Sequence, residues 1–317
     1  MTVDWLSSLM DVMPARGRLE LRCMYGAAWE VVYEPSPPGE MPYHIVLSGA
    51  AQIATPDGGP PIWLHPGDMV LLAHGSAHVL DDGSGELPKP ASKRDVAGVT
   101  FSENGGDSSR LDMLCGRIML SPAQEGLMRS YLPERLVVRA GDHRAHAPSA
   151  SALQMAGLVD LMRTESGAEG AGGRAMLNAL SAALFVLALR LASESDEAPV
   201  GLLALAGHPR LAPALTAMVT RPAHPWTLPA LAQLCHMSRA TLARHFQEKV
   251  GRSASELLLD IRMALAAGEL KKPHLSTEAV ADIVGYQSVA AFKRAFQQRM
   301  GMSPAEWRRA ARAALAG

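Results

Sequence analysis

The chain has 317 residues, of which 48% are hydrophobic and three are cysteine, so it is long enough for two domains with apolar cores and has too few cysteines for a disulfide framework. Its net charge of −1 excludes a uniformly basic or acidic protein. From residue 209 onward, however, 15 Lys and Arg stand against 7 Asp and Glu, a net charge of +8, which leaves −9 for the residues before it. This basic part is where we expect phosphate contacts.

The N-terminus lacks the basic start of a signal peptide. The longest apolar run, residues 175–192, is interrupted by Asn178, Ser181 and Arg190. These features predict a cytoplasmic protein that makes no membrane contact.

Residues 19–120 are predicted to be β structure, because short apolar runs alternate with Gly, Pro and Asp and no helical period intervenes. Such spacing indicates a small antiparallel barrel or sandwich. The predicted strands cover residues 19–23, 30–33, 43–47, 50–54, 62–64, 69–72, 78–80 and 113–120. Residues 80–110, which are rich in Gly, Ser, Pro and Asp, are predicted to be a polar insertion or mobile loop.

Two passages in this region carry a family resemblance. Residues 43–49 form an apolar strand that runs into a Gly turn. Residues 65–78 combine a Pro-Gly-Asp turn, an apolar strand and a Gly three residues before a His. Both passages are similar to the two motifs of cupin barrels. The resemblance implies a cupin-like β-barrel as the N-terminal domain.

Metal-binding cupin enzymes carry additional ligands in the first motif, where this chain has residues 40–42, Glu-Met-Pro. His44 and His78 are therefore the remaining candidate metal ligands. Two His hold Zn²⁺ or Cu only with a further ligand, for which Cys115 or Cys23 are candidates. The alternative is that both His line the core or a pocket.

Cys23 ends an apolar strand, and Cys115 lies in a Leu-x-Cys-Gly stretch. With the neighbouring Gly and His patterns, these positions resemble the cupin-type AraC regulators that respond to reactive chlorine. In that subgroup the two Cys positions are implicated in oxidant sensing, which implies the same role for Cys23 and Cys115. A thiolate whose pKa is lowered by neighbouring Arg22 or Arg117 would react readily. Two buried, inert thiols are the alternative.

From residue 149 the spacing of the apolar residues becomes helical. One helix is predicted before and one after a Gly-rich loop at residues 166–173. After a cupin barrel, such a pair resembles the dimerisation hairpin of AraC-type regulators. The wide apolar face of the second helix, which includes Phe185 and Val186, leaves surface for a second subunit. A homodimer would match a two-fold DNA site. The acidic segment at residues 193–199 is predicted to be a linker.

The last hundred residues contain a repeat with a period of about fifty residues. Residues 232–257 and 281–307 share small, apolar and cationic positions. In each copy we predict a short helix, a tight turn and a second helix whose N-cap is Ser238 or Ser288. A capped helix with cations on its free face, held by a preceding helix, is the helix-turn-helix arrangement for the DNA major groove.

This repeat resembles the DNA-binding domain of the AraC/XylS family of bacterial transcription regulators. The similarity covers about the last hundred residues, and its near-signature includes Gly285-Tyr286, Ala291-Phe292, Ala295-Phe296, Gly301, Ser303-Pro304 and Trp307, where members often have Tyr. The resemblance implies a regulator of transcription, in this family mostly an activator, with double-stranded DNA and RNA polymerase as partners. Its two recognition helices would enter successive major grooves about one DNA turn apart.

The predicted DNA contacts lie on the free faces of the two second helices. Arg244 and Arg294 occupy matching positions and are predicted to read guanine. The predicted set is Arg239, Ala240, Thr241, Ala243, Arg244, Ala290, Lys293 and Arg294. Phosphate contacts, which position the protein without specifying sequence, are predicted for Arg239, Thr241, Lys249, Arg252, Lys271 and Arg299.

The predicted architecture is α+β and multidomain. Residues 1–148 are assigned to a cupin-like sensor domain, 149–193 to a helical dimerisation hairpin, 194–206 to a linker and 207–317 to the DNA-binding domain, with helix-turn-helix motifs at about 228–250 and 277–300. No nucleophile–base pair points to an enzyme. We expect a regulator that senses an oxidant through its cysteines. A small-molecule or metal effector in the barrel is the alternative, and a cupin metalloenzyme fused to a DNA-binding domain is a less favoured one.

Overall fold

The computed structural model describes residues 4–26, 28–55, 59–105, 111–139, 148–195 and 198–316. Its elements in chain order are α1 (Trp5–Val12), β1 (Arg16–Tyr25), β2 (Glu30–Tyr33), β3 (Glu40–Ser48), β4 (Ala51–Ala54), β5 (Ile62–Leu64), β6 (Met69–Leu72), β7 (His78–Asp81), β8 (Ala91–Val96), β9 (Val99–Asn104), β10 (Leu111–Met119), α2 (Pro122–Tyr131), β11 (Arg135–Val138), α3 (Ala150–Ser166), α4 (Gly173–Glu194), α5 (Leu202–Ala206), α6 (Ala212–Thr220), α7 (Leu228–Leu234), α8 (Arg239–Val250), α9 (Ala254–Glu269), α10 (Thr277–Ile283), α11 (Val289–Met300) and α12 (Pro304–Ala316).

The chain forms two compact units. The barrel unit comprises residues 15–120 and 133–195, and the helical unit comprises the other described residues, including α1 and α2. The domain boundaries expected from sequence place α1 and residues 121–132 with the barrel, whereas α1 and α2 both belong to the helical unit. Those boundaries otherwise remain a prediction.

Two β-sheets make up the barrel unit. The larger has the strand order β11-β6-β3-β10-β1-β9-β8, and the smaller has the order β2-β7-β4-β5. Neighbouring strands are antiparallel except for β1 and β9, which are parallel. Alternate side chains of each strand point inward, and together they form an apolar core that includes Cys23, Val46, Leu80, Met113 and Cys115. The prediction of a cupin-like barrel built from short strands is confirmed.

The helical hairpin α3–α4 belongs to the barrel unit and packs on the larger sheet through α4 and β1. Gly17 makes this approach possible, because a Cβ there would lie 2.3 Å from the backbone nitrogen of Ala182. The Tyr43 hydroxyl lies 2.8 Å from Oγ of Ser181 and adds a buried polar contact between strand and helix. Among the described residues, α4 is the one helix long and apolar enough to cross a bilayer by length and composition.

The helical unit contains the sequence repeat as two helix-turn-helix motifs, α7–α8 and α10–α11, joined by α9. Ser238 and Ser288 cap α8 and α11, since each side chain accepts a hydrogen bond from a backbone N–H three residues further on. The turns contain His236 and Gly285, both with positive φ. Leu242, Phe246, Phe292 and Phe296 are fully buried, as the repeat predicted.

The structure corrects the prediction of a polar loop at residues 80–110. Residues 91–104 form a hairpin of β8 and β9, in which Val99 and Phe101 are buried while β8 is exposed at the edge of the sheet. Strand β8 could not be recognised from the sequence because its residues are polar and exposed, and only β9 alternates apolar with polar residues. Residues 106–110 of the predicted loop lie outside the described residues.

Sequence reasoning missed several further elements. They are α1, α2, β11 and α5. Helix α5 falls inside the predicted linker and buries Leu202, Leu203 and Leu205, while residues 196 and 197 of that linker are not among the described residues. A segment of five residues is too short for periodicity to distinguish a buried helix from an apolar loop.

Candidate DNA interface and thiol site

The two recognition helices expose the residues that the sequence selected for DNA contact. On α8, Arg239, Ala240, Ala243 and Arg244 are exposed. Thr241 is half-buried, and its hydroxyl lies 2.9 Å from Oγ of the capping Ser238. The opposite face of α8 is anchored in the core by Leu242 and Phe246, so the free face is presented in a fixed orientation.

Helix α11 presents an equivalent free face in the second motif. Ala290, Lys293 and Arg294 are exposed, and Phe292 and Phe296 hold the other face in the core. The Arg244 guanidinium on α8 lies 3.7 Å from the carboxylate of Glu248, and both side chains are more than half exposed. Such a solvated pair is weak, at about 0–1 kcal/mol, so it leaves Arg244 available for a stronger bidentate partner.

Two of the residues expected to contact phosphates have another partner. The Arg299 guanidinium meets both carboxylate oxygens of Asp260, and the Arg252 guanidinium lies 4.0 Å from the same carboxylate. Because Asp260 is buried, these cations neutralise an internal charge. Arg239, Thr241, Lys249 and Lys271 remain candidates for phosphate contact.

Cys23 and Cys115 meet inside the barrel, on neighbouring strands β1 and β10. The strand register pairs Cys23 with Met113 and Leu21 with Cys115, so the two cysteines are diagonal neighbours on one face. Their exposed fractions are 0% and 3%. A hydrogen bond from the Cys115 thiol is the largest influence on Cys23 and, together with the Tyr25 hydroxyl, lowers its pKa despite burial.

The pKa of Cys115 moves the opposite way and lies well above its ordinary value, first because of burial and then because of its hydrogen bond to Cys23. Two thiols that face the same core from adjacent strands can join as a disulfide when one of them is oxidised.

The expectation that Arg22 or Arg117 activates these thiols was wrong. Nε and Nη2 of Arg22 bind the two oxygens of Asp112 at 2.9 and 2.7 Å. Arg117 binds Glu40 at 2.9 Å. Strand alternation directs residues 22 and 23 to opposite faces of the sheet, so adjacency in sequence does not bring the guanidinium to the thiol.

His44 and His78 also meet in the barrel, with their Nε2 atoms 2.8 Å apart. Nδ1 of His78 lies 2.9 Å from the Ser76 carbonyl and donates to it, so Nε2 of a neutral His78 accepts from His44. The ring of Tyr33 stacks on His78 with a centroid distance of 4.6 Å. Burial lowers the pKa of both imidazoles, and for His44 the neighbouring His78 lowers it further.

The side chains around His44 and His78 do not provide the ligands of the Zn or Cu site that was considered from the resemblance to cupins. Within the described ranges, no group of three His, Cys, Asp or Glu side chains converges as a metal cage. A structural zinc site needs four ligands and a catalytic one three. The two Nε2 atoms that would bind a metal are also hydrogen-bonded to each other. The structure favours the alternative in which both His form a hydrogen-bonded pair in the core.

Four residues at these sites were not selected from the sequence. Tyr25 and Tyr33 contact the thiol and imidazole groups, and Asp260 and Tyr131 form a buried polar contact in the helical unit. Asp260 carried a usable signal, since it is a lone acid among the apolar residues 257–261. The tyrosines carried none, because an aromatic residue in a strand is ordinary core.

A cupin barrel with a helical hairpin, followed by paired helix-turn-helix motifs with exposed cations, defines a DNA-binding transcription regulator of the AraC type. A family model described as Cupin matches residues 4–194, and one described as a helix-turn-helix domain matches residues 231–310. The first covers more than half of the chain, which therefore belongs to this cupin family.

Several proteins resemble the chain over almost its whole length. It is 27% identical over 308 residues to an uncharacterized HTH-type transcriptional regulator of Haemophilus influenzae, covering 97% of this chain and 99% of that one. It is 27% identical over 306 residues to the RCS-specific HTH-type transcriptional activator RclR of Escherichia coli, covering 96% and 97%. It is also 27% identical over 308 residues to a putative AraC-like transcription regulator of Streptomyces antibioticus, covering 97% and 99%. These relatives are regulators, in agreement with the non-enzymatic role expected from sequence.

Proposed function

We propose that this regulator senses a strong oxidant through Cys23 and Cys115 and acts in the bacterial cytoplasm as a transcription activator. The observation that carries the proposal is the placement of two thiols as diagonal neighbours on β1 and β10, in the same apolar core. The similarity to the RCS-specific activator of Escherichia coli supports reactive chlorine species as the oxidant class.

The chemistry requires one oxidant molecule for each thiol pair. The Cys23 thiolate attacks the chlorine of hypochlorous acid, so that an S–Cl bond forms, the O–Cl bond breaks and hydroxide leaves. The Cys115 sulfur then attacks the sulfur of Cys23, an S–S bond forms, chloride leaves and the Cys115 proton neutralises the hydroxide. Two electrons pass from the thiol pair to chlorine.

Formation of this disulfide would distort the larger sheet. Diagonal neighbours on antiparallel strands have Cα atoms about 7–8 Å apart, whereas disulfides require about 4.4–6.8 Å. Strands β1 and β10 must therefore shift locally when Cys23 and Cys115 join. A bulge in their register between Leu19 and Leu21 lies next to the pair and offers a place for that shift.

The test is mapping of the thiols after oxidation. The purified, reduced protein is treated with one to two equivalents of hypochlorite and digested without reductant, and we expect the peptides of Cys23 and Cys115 to be joined. Cys23→Ser and Cys115→Ser should each abolish the linked product and the change in DNA binding that accompanies it.

Cys235→Ser is the matched control, because Cys235 is also buried but lies in the helical unit, and burial raises its pKa. This variant should behave like the wild type. If Cys23 and Cys115 both stay reduced while the protein loses its fold or its methionines oxidise, the sensor proposal fails.

Dimerisation through α3 and α4 is the second part of the proposal. Leu153 and Leu161, two turns apart on α3, are 60% and 45% exposed, and Met176 at the start of α4 is 38% exposed. Phe185, which the sequence offered as dimer surface, is buried inside its own unit. An exposed apolar face on this hairpin fits a second copy, and a homodimer would place four recognition helices on a two-fold site, from which RNA polymerase is recruited.

A small-molecule effector is the second candidate, favoured by one observation. A cavity of about 260 Å³ lies between the end of β3 and helix α3, and Ser48, Asp112 and Arg163 are among its lining residues. If an effector rather than an oxidant is the signal, the double variant Cys23→Ser/Cys115→Ser should still show a ligand-induced rise in melting temperature in a metabolite screen. The oxidant proposal expects this variant to be insensitive to hypochlorite.

A further inference from the structure

Helix α9 joins the two helix-turn-helix motifs and carries a buried acid. Asp260 is 6% exposed and is flanked on α9 by the buried residues Leu257, Leu258 and Ile261. A carboxylate in such surroundings is costly unless hydrogen bonds and opposite charges satisfy it. Its partners are therefore expected to be structurally important.

The partners of Asp260 come from α11, from the turn after α8 and from α2. Arg299, in the last turn of α11, meets both carboxylate oxygens, and this contact raises the pKa of its guanidinium. Arg252, which follows α8, lies 4.0 Å from Oδ2. The hydroxyl of Tyr131, at the end of α2, donates to Oδ2 at 2.7 Å. One carboxylate thus connects the ends of both recognition helices to α2.

Helix α2 is held on the helical unit by more than this bond. Ala123, at its start, belongs to the apolar core that contains Phe292 and Phe296 of α11. At its end, a Cβ on Gly201 would lie 2.1 Å from the carbonyl oxygen of Tyr131, so only glycine permits this approach. The same Gly201 donates its N–H to the carbonyl of Lys249 in the last turn of α8, at 2.7 Å. The start of α2 thus packs in the same core as α11, and its end lies against Gly201, which is hydrogen-bonded to α8.

The pKa of Tyr131 is raised, mainly because the hydroxyl is buried and secondly because it lies next to the Asp260 carboxylate. Its hydroxyl consequently stays protonated and remains a donor. The Arg252 guanidinium lies over the ring of the same tyrosine at 5.6 Å. Tyr131 thus donates a hydrogen bond to the Asp260 carboxylate and makes a cation–π contact with the Arg252 guanidinium.

We propose that Tyr131 and Asp260 are positioning residues for DNA recognition, which set the orientation of α8 relative to α11 and hence the distance between the DNA segments that they read. Two recognition helices in one chain bind successive major grooves only when their separation matches the DNA. The Asp260 contacts fix that separation through Arg252 and Arg299, and α2 is the element that completes them. This role rests on DNA binding alone and is independent of cysteine oxidation.

The test is the dependence of binding on half-site spacing, measured with the reduced full-length protein. Duplexes are selected from a random library on the wild-type protein, the two protected segments are located by footprinting, and one or two base pairs are inserted or deleted between them. We expect the wild type to lose at least tenfold in affinity on each altered spacing. Tyr131→Phe should reduce that discrimination to about threefold or less.

Asp260→Asn is the second variant, because it keeps the shape and removes the charge. It should relax the spacing preference further and also steepen the salt dependence, since Arg252 and Arg299 become available to phosphates at a slope of about 0.9 for each contact. Tyr43→Phe is the matched control. It removes an equally buried hydroxyl that contacts Ser181 in the barrel unit, and its spacing discrimination should equal that of the wild type.

A purely structural role gives a different result. If Tyr131→Phe lowers affinity by the same factor on every spacing, or leaves all affinities unchanged, the positioning role is refuted. The Tyr131→Phe result decides the question by itself if Asp260→Asn does not fold.

Discussion

Individual side chains on the two recognition helices offer different chemistry to DNA. Helix α8 exposes Arg244 beside Ala240 and Ala243, whereas α11 exposes the neighbouring cations Lys293 and Arg294. An alanine can make only an apolar contact, such as one with a thymine methyl group. We therefore expect sequence discrimination by α8 to depend on Arg244 more heavily than discrimination by α11 depends on any one residue.

The first prediction concerns Arg244 and Arg294. Because a bidentate Arg–guanine contact contributes about 1–3 kcal/mol, Arg244→Ala and Arg294→Ala should each weaken specific binding roughly 5- to 150-fold and relax the preference at one base pair. Titration of a selected site and its single-base variants measures both effects. Arg18→Ala, which removes an exposed Arg from the barrel unit, should change neither. Unaltered affinity in both recognition-helix variants would contradict the assignment.

The second prediction concerns the buried imidazoles. The pKa of His44 lies well below 6.5 in the fold, first because of burial and then because of His78, so the folded chain keeps it neutral while the unfolded chain takes up a proton near pH 6.5. The stability that His44 contributes is therefore present above about pH 6.5 and is lost as the pH falls from there towards the folded pKa.

Urea-dependent hydrogen exchange of peptides from β3, measured between pH 7.5 and 5.5, tests this pH dependence. The urea concentration at the unfolding midpoint should decrease as the pH is lowered in the wild type, and should decrease less steeply in His44→Gln. His274→Gln, which removes an exposed imidazole from the helical unit, should keep the wild-type slope. Equal slopes in all three proteins would show that His44 does not carry the effect.

At the level of helices and strands, the two helix-turn-helix motifs share their capping but differ in their turns. Both recognition helices begin at a Ser N-cap and end at a glycine in the left-handed region, Gly251 or Gly301. The second motif has Gly285 in its turn, where the first has His236. A Cβ on Gly285 would lie 2.2 Å from the carbonyl oxygen of Ala223, whereas one on Gly251 would meet open space.

The third prediction follows from that contrast. Gly251→Ala should cost about 1–2 kcal/mol, since the left-handed conformation alone opposes a Cβ. Gly285→Ala meets the same strain and also a backbone clash, so it should lower the free energy of unfolding of the helical unit by more and weaken DNA binding through α11. Urea unfolding followed by circular dichroism measures both. The explanation fails if the two substitutions cost the same.

The whole molecule links a thiol-bearing barrel to DNA-binding helices within one chain. Cys115 lies on β10, and α2 begins at Pro122, only a few residues further along. The chain therefore passes directly from the strand that carries Cys115 into the helix that completes the Asp260 contacts.

The fourth prediction concerns assembly. A charge on an exposed apolar face opposes its burial in a dimer, so Leu153→Glu and Leu161→Glu should shift the protein towards monomer and weaken binding to two-fold sites more than to single sites. Sedimentation velocity measures the first effect and titration the second. Leu87→Glu, at an exposed leucine elsewhere in the barrel unit, is the control and should leave the association state unchanged. A wild-type protein that is monomeric at micromolar concentration would contradict the dimer.

By itself the sequence determined the class of protein and its architecture, because the repeated caps, turns and core positions of the helix-turn-helix motifs and the short apolar strands are local signals. Ser238, Ser288, Phe292 and Phe296 occupy the positions that their spacing predicted. The exposed faces of α8 and α11 likewise follow from helical periodicity.

Only the tertiary structure decided what surrounds each functional group. It placed Cys23 against Cys115 and Tyr25 rather than Arg22, paired His44 with His78, and brought Tyr131 to Asp260 from 129 positions away in the chain. These contacts depend on strand register and helix packing between distant segments. Such long-range pairing leaves no periodic trace in the sequence, so the environment that shifts a thiol pKa or satisfies a buried acid becomes visible only once the chain is folded.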